Sequence, residues 1–592
     1  MNEKRVKQGY FQLIKTMTSI SCFQIPKAFL FMLVCAACAG FMQGATVWFK
    51  QQLFDKAEDL VNGGIIKQVC LAGIMLGICL IVQLIINMIN SLAEQSFVFK
   101  LEQAGGGLLN QKAATIDPIC YENNRFLDHI EKAGKGLEAS VEVFTLSFGM
   151  ILTIFSYFGF MGVYMLSIEL GLLIMLFISF LPYILGAVVR YRVHKNLENC
   201  AAPYRRKGDF YVKCITDREY VKETRLLGGY GYFYCKLMES LDMVKKLSWK
   251  TTKKSEYVNI GLRFLSMAGY IGMMILLFYY LMSGRVGVGA FAAIVSSLDN
   301  MSDTLERIFN FKMNNIMSSL GTAENYLAFL DLPERESGTS FPEGKCVEFR
   351  DVTFAYPDAN KNSIDHLSLK IKEKETIAIV GSNGAGKSTF ARLLLGIYRP
   401  AKGSVLIDGI DTRELNPNKS TGHFSAVFQK FQKYKMKVRE NVMLSDSLSF
   451  VDEQRVKESL QKAELDWRGR SFENELDTML SREFGGTDLS GGQWQRLAIA
   501  RGLYRIHNLI ILDEPTAAID PLEETIVYQK FMELSKNKTA VIITHRLGSA
   551  KIADRIVVLD KGRIAEEGKH EELIEKKSLY YEMYQAQAKW YV

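Results

Sequence analysis

No stripe of Lys and Arg interleaved with aromatics runs through this 592-residue chain, so the pattern of a nucleic-acid-binding surface is missing. Charge is modest in either sign. Lys and Arg number 72 against 64 Asp and Glu. A balance of +8 suits basic loops beside an anionic membrane surface. Ten cysteines are present, but their placement argues against a disulfide framework. Cys35, Cys38, Cys70 and Cys79 lie inside apolar runs, and Cys120, Cys200, Cys214 and Cys235 fall in segments read below as cytosolic. Cys35 and Cys38 form C-x-x-C with no second pair nearby, which reads as buried free thiols rather than a metal or redox site. A secretory signal is missing as well. Lys4, Arg5, Lys7 and Lys15 come first, and the apolar run that follows is too long for a signal core and has no small-residue cleavage pattern.

What is there falls into two halves. Apolar residues make up 48% and charged ones 23%, and that average hides long apolar runs confined to the first half. A membrane helix needs roughly 20 apolar residues to cross a ~30 Å core. Six stretches qualify or nearly so: 28–49, 69–89, 144–166, 170–189, 260–282 and 286–305, the last being the weakest. Only Ser167-Ile168-Glu169 divides the third from the fourth, and only Ser283-Gly284-Arg285 the fifth from the sixth. The segment after the fourth is rich in Arg190, Arg192, Lys195, Arg205, Arg206, Lys207, Lys245, Lys246, Lys253 and Lys254. Cytosolic loops carry such an excess, so this segment and the basic N-terminal one are expected inside. The result is three short outward loops and two long inward ones.

Each inward loop reads as helix continuing past the membrane to a small helix. In the first, Asp117 before Pro118 is an N-cap signal, with Tyr121 to Phe126 following. In the second, Asp217 to Leu227 ends at Gly228. Both small helices are expected to touch the soluble half. On the sixth stretch Asp299, Asp303, Glu306 and Asn310 share one face. They read either as an acidic wall for a cationic or amphipathic cargo, or as a cytosolic extension with Arg307 and Lys312 as local partners.

The second half is organised around Gly381-Ser382-Asn383-Gly384-Ala385-Gly386-Lys387-Ser388-Thr389, which fits G-x-x-x-x-G-K-[ST]. An apolar, β-branched strand precedes it and a helix beginning near Phe390 follows. Backbone N–H groups there can close around phosphate oxygens, with the helix N-terminus adding partial positive charge. Lys387 supplies a point charge for the outer phosphates and Ser388 a hydroxyl for Mg²⁺. Further motifs follow the same logic. Tyr356 can stack on a base. Gln429 ends a strand and can reach Mg²⁺ or water. Ser490, Gly491, Gly492 and Gln493 open a second glycine-lined helix and hence a second phosphate site. Asp513 suits Mg²⁺, Glu514 suits polarising an attacking water, and His545 can contact a terminal phosphate. Polar turn formers at 330–338 separate the halves, giving a membrane domain over 1–330, a linker over 331–345 and a nucleotide-type domain over 346–592.

Together these motifs resemble the ATP-binding cassette family. The resemblance covers the whole chain and implies a half-transporter of the exporter type. Its fold would be a multidomain membrane protein: an all-α six-helix transmembrane domain followed by an α/β P-loop nucleotide-binding domain. The two small cytosolic helices then match that family's coupling helices, and 481–488 its contact loop for them. Ala518-Ile519-Asp520 occupies the D-loop place, with Ala518 where serine is usual and Asp520 retained. The resemblance implies ATP and Mg²⁺ as cofactors. It also implies a dimer in which ATP sits between Lys387 and Ser388 of one chain and Ser490 and Gly492 of the other. Glu514 and the signature are intact, so both sites of a homodimer would be competent; a heterodimer remains open. The wording of 484–496 is similar to bacterial peptide and lantibiotic exporters, which implies a bacterial plasma membrane, cytoplasmic termini and a peptide-like or amphipathic cargo. About 25 residues precede the first span, too few for a leader peptidase. The competing readings are a lipid flippase or multidrug pump, and a soluble cassette ATPase acting on ribosomes or DNA.

Overall fold

The computed structural model describes residues 3–217, 220–308, 313–335, 338, 342–357, 359–415, 423–446, 452–469, 472–514, 535 and 537–588. Its contacts divide into two units. The first is Met1–Ala114 with Asp128–Leu332, and the second is Thr115–Leu127 with Pro333–Val592.

The first unit is helical. It comprises α1 (Glu3–Gln24), α2 (Pro26–Val61), α3 (Ile66–Thr115), α4 (Asn124–Thr153), α5 (Gly159–Ile168), α6 (Leu170–Thr216), α7 (Val221–Leu226), α8 (Tyr230–Met282), α9 (Val288–Glu306) and α10 (Met313–Leu330). The 50 residues of α3 extend ~75 Å, far beyond a bilayer core, so apolar span and polar extension form one rod. Among the described residues, Pro26–Val61, Ile66–Thr115, Phe126–Ile168 and Tyr230–Met282 are long and apolar enough to cross a membrane, and Leu170–Tyr183 is a shorter apolar stretch. The apolar window of α3 is only 6% buried, and Ile78, Ile81 and Leu84 face outward. A helix apolar all round with so little burial has lipid as its natural solvent.

Three local features refine the expectation. The third span is not one regular helix, because Ile154–Phe158 forms a π turn between α4 and α5. The fourth continues as α6 to Thr216 with Pro182 and Pro203 inside it. The sixth forms the 19-residue α9, which is not among the helices long and apolar enough to cross a membrane. The tight connections are as short as the sequence suggests: extended Glu169 separates α5 from α6, and Gly284 at φ 69° turns the chain between α8 and α9. Gly228 at φ 64° follows α7, the small helix of the second inward loop; Arg218 and Glu219 lie outside the described residues.

The acidic face of α9 is only partly acidic. Asp299 and Asp303 are exposed, whereas Glu306 pairs with Arg263 on α8. Arg307 Nε donates to the Asp303 carbonyl at 3.4 Å. Asn310 and Lys312 lie outside the described residues.

The second unit holds two sheets. Strands β1 (Val347–Phe354), β2 (Ile364–Ile371), β4 (Lys402–Ile407) and β5 (Ile410–Asp411) form an antiparallel sheet in the order β2-β1-β4-β5. Strands β3 (Thr376–Gly381), β6 (Phe424–Val427), β7 (Leu509–Asp513), β8 (Thr539–Ile543), β9 (Arg555–Asp560) and β10 (Arg563–Gly568) form the other, ordered β10-β9-β3-β8-β7-β6. Its five strands from β9 to β6 are parallel, and β10 is antiparallel at the edge. Every residue of β3, β7 and β8 is buried, the expected signature of parallel strands covered on both faces. Helices α11 (Lys387–Leu394), α12 (Val438–Met443), α13 (Glu453–Lys462) and α14 (Gly491–Tyr504) belong to this unit.

The segment before α4 belongs here too. Asp117 caps a 3-10 turn, Pro118–Glu122, by accepting from the Ile119 N–H at 3.2 Å, as its place before Pro118 suggests. Ile119 packs against the hydrophobic core around β1 and β3.

Candidate nucleotide site

Parallel strands put their carboxyl ends on one edge, and crevices outside such ends are where open α/β sheets bind ligands. Register therefore assembles this site. Ile379 of β3 pairs with Ile543 of β8, Ile543 with Asp513 of β7, and Leu512 with Val427 of β6. Gly381, His545, Glu514 and Gln429 each lie within two residues of their strand's end, so they emerge together.

The phosphate loop runs from Gly381 into α11. Gly386 caps the helix at φ 101°, a left-handed backbone that β-carbon-bearing residues rarely adopt, and a Cβ there would press on the Ser363 carbonyl. Lys387 is buried. Its Nζ donates to the Gly381 and Ser382 carbonyls at 2.8 and 3.1 Å, so the ammonium is held inside the loop's curve. Burial lowers its pKa, with Glu514 and Asp513 opposing the shift. Ser388 Oγ lies 3.4 Å from Asp513 Oδ1. Burial raises the Asp513 pKa against that hydrogen bond, and the nearby Glu514 carboxylate adds to the rise.

Glu514 is the junction of the three residues expected to do the chemistry. Gln429 Nε2 donates to Glu514 Oε2 at 2.6 Å, and His545 Nδ1 lies 3.2 Å from Glu514 Oε1. Glu514 itself holds φ 48°, uncommon for a residue with a side chain, and its N–H donates to the Ile543 carbonyl at 2.9 Å. Strain of this kind concentrates at functional sites. Tyr356, Asn383, Gly384, Gly386, Lys387, Ser388, Thr389, Gln429 and Glu514 line one cleft of about 450 Å³. Ala385 is buried beneath the loop.

The signature residues are not among those lining that cleft. Ser490 is the exposed N-cap of α14. Its Oγ accepts from the Gln493 N–H at 3.3 Å, and Gln493 Oε1 accepts from the Ser490 N–H at 3.0 Å, a reciprocal capping box. Gly491 is exposed and Gly492 half-buried, so this helix start faces outward. Asp520, with Ala518 and Ile519, lies outside the described residues.

Arg392, inside α11, and Glu122, in the small helix expected to touch the soluble half, are wired into the site. Arg392 Nη1 donates to the Tyr356 hydroxyl at 2.8 Å and lies 3.6 Å from Glu122 Oε1. No spacing signal joins Glu122 to α11, because the two lie far apart in the sequence.

Residues 364–517 match the family model described as ABC transporter. The chain is 29% identical to the subtilin transport ATP-binding protein SpaT of Bacillus subtilis, over 80% of this chain and 78% of that one. It is 24% identical to the nisin transport ATP-binding protein NisT of Lactococcus lactis subsp. lactis, over 98% and 97%. With the ATP-dependent lipid A-core flippase of Bordetella avium the identity is 34%, over about half of each chain (52% and 52%). A bacterial Atm1-family ABC exporter solved with ATP bound shares the fold at a TM-score of 0.80 and 21% identity, over 94% of this chain and 98% of that one.

Proposed function

We propose that this chain, which shares the fold of an ABC exporter and matches the ABC transporter family model over residues 364–517, couples ATP hydrolysis to moving a peptide-like or amphipathic cargo outward by alternating access, as a dimer of two identical chains. The observation that carries the dimer is the division of the site. One cleft collects Tyr356, the phosphate loop, Gln429 and Glu514, while the outward-facing Ser490 cap takes no part in it. A second chain supplies the missing phosphate contacts: Ser490, Gly491, Gly492 and Gln493 at a helix N-terminus, with Asp520 beside them. A nucleotide carrying about four negative charges neutralises two positive helix ends that otherwise repel, and its hydrolysis removes that link.

Within each cleft, Tyr356 stacks on the base and residues 381–389 cradle the phosphates. Lys387 must turn from two carbonyls to phosphate oxygens, an exchange that costs little because charged acceptors make stronger bonds. Glu514, held between Gln429 and His545, orients the attacking water and accepts its proton; His545 steadies the terminal phosphate. Ser388, Gln429 and Asp513 offer hydroxyl, amide and carboxylate oxygens, the hard ligands Mg²⁺ takes, and among the described residues no group of three His, Cys, Asp or Glu offers another metal a place. Mg²⁺ would neutralise charge developing on the phosphates. The chain sits in a bacterial plasma membrane, with both termini on the cytoplasmic side.

Peptide cargo is supported by similarity to the subtilin and nisin transport proteins over most of the chain, and a lipid cargo by the flippases that match half of it. Reconstitution in vesicles separates them. Cationic amphipathic peptides should stimulate ATP hydrolysis and accumulate in inverted vesicles. Stimulation by lipids alone would overturn the cargo assignment. Charge reversal of Asp299 and Asp303 should weaken that stimulation; unchanged preference would remove the acidic face from the cargo path.

A further inference from the structure

Tyr356 holds its place through more than ring packing. Its hydroxyl accepts from Arg392 Nη1 at 2.8 Å and lies 3.1 Å from Thr389 Oγ1 on the phosphate loop. Either hydroxyl of the Tyr356–Thr389 pair can donate, so the contact with Arg392 is the one of fixed direction. The Tyr356 ring stands edge-on to Phe354 at 5.3 Å and to Tyr398 at 5.8 Å, which fixes its plane but leaves sliding free. Arg392 is half-buried, its guanidinium 5.5 Å from the Tyr398 ring centroid. Glu122 Oε1 lies 3.6 Å from Arg392 Nη1 and accepts from the Tyr398 hydroxyl. Glu122 closes the 3-10 turn Pro118–Glu122, reached within three residues of the end of α3.

We propose that Arg392 is a positioning residue for Tyr356, and that Glu122 makes this positioning depend on where the turn after α3 sits. The inference deepens the proposed function and rests on Tyr356 being the base-stacking residue. Hydrogen bonds lose most of their strength within an ångström or so of stretching. A small shift of the turn therefore withdraws Glu122, frees Arg392 to lean toward water, and loosens the ring beneath a purine base. The coupling is reciprocal: a base stacked on Tyr356 holds the turn in place by as much as the turn favours the base.

The test is a double-mutant cycle on ATP hydrolysis by the full chain in lipid vesicles. Glu122→Gln removes the charge beside Arg392. Tyr356→Phe keeps the ring face and removes the hydroxyl that Arg392 reaches. Each should raise KM for ATP roughly two- to tenfold, with kcat changing less than about twofold. The double variant should match the weaker-binding single rather than multiply the two effects. Arg392→Lys keeps the charge without the second arm and should fall between. An unchanged KM in Glu122→Gln, or multiplicative effects, would overturn the proposal. If Glu122→Gln does not fold, the cycle of Arg392→Lys with Tyr356→Phe carries the same two outcomes. Absence of saturable ATP hydrolysis in the unaltered chain would instead defeat the functional reading itself.

Discussion

At the scale of single residues, the nucleotide site is a balance between burial and charge. Lys387 is buried yet keeps two carbonyl acceptors; in the proposed site its removal costs charge-assisted bonds to phosphate. Lys387→Ala should raise the Kd for ATP by about ten- to a hundredfold, the worth of hydrogen bonds to a charged partner, with little change in melting temperature; fluorescent nucleotide titration measures the first and scanning calorimetry the second. Glu514→Gln keeps both neighbours within reach but removes the proposed proton acceptor. Hydrolysis should fall by about 10²–10⁴-fold while ATP stays bound; turnover at the normal rate would assign the base elsewhere. These residues were legible from the sequence because their spacing is local. A phosphate loop is contiguous, and Gln429, Glu514 and His545 each follow a readable apolar strand. Arg392 and Glu122 were not, because their meeting depends on tertiary packing: the Tyr398–Glu122 hydrogen bond joins residues 276 positions apart.

At the scale of elements, caps and strand ends do double duty. Ser490 caps α14 and, in the proposed dimer, faces a phosphate of the other chain. Asp is an equally good N-cap but repels phosphate. Ser490→Asp should thus leave stability within about 0.5 kcal/mol and abolish ATPase activity, whereas Ser490→Ala should cost about 1 kcal/mol. Where α14 runs into β7, buried His507 donates from Nδ1 to the Arg505 carbonyl at 2.7 Å and accepts at Nε2 from Lys538 at 3.1 Å. Burial, reinforced by the Lys538 charge, lowers its pKa from 6.5 to about 4. The neutral form is the one that fits, so the stability it contributes is complete above pH 6.5 and is lost as pH falls toward 4. At most roughly 3 kcal/mol is at stake. The melting transition of the nucleotide domain should drop across that window, and His507→Gln should flatten the drop. Elements themselves were readable in outline. Strand alternation with helix and the short turns at Glu169 and Gly284 follow from local chemistry. The π turn at Ile154–Phe158 and the run of α6 through two prolines do not, since both depart from the regular i→i−4 ladder that local propensity predicts.

At the scale of the molecule, the two units have opposite solvents. One turns Ile78, Ile81 and Leu84 outward; the other buries β3, β7 and β8 completely. Detergent or lipid should accordingly be required to keep the full chain dispersed. The proposed dimer follows from what each cleft gathers and what α14 turns away from it. Mixing two defective chains in a Glu514→Gln background measures this directly. Lys387→Ala destroys the phosphate loop and Ser490→Arg destroys the signature, so neither alone should retain ATP. A mixed pair still joins one intact loop to one intact signature. One ATP retained per mixed pair is the predicted result; no retention in the mixture, with each chain folded and dimeric, would contradict a site shared between two chains.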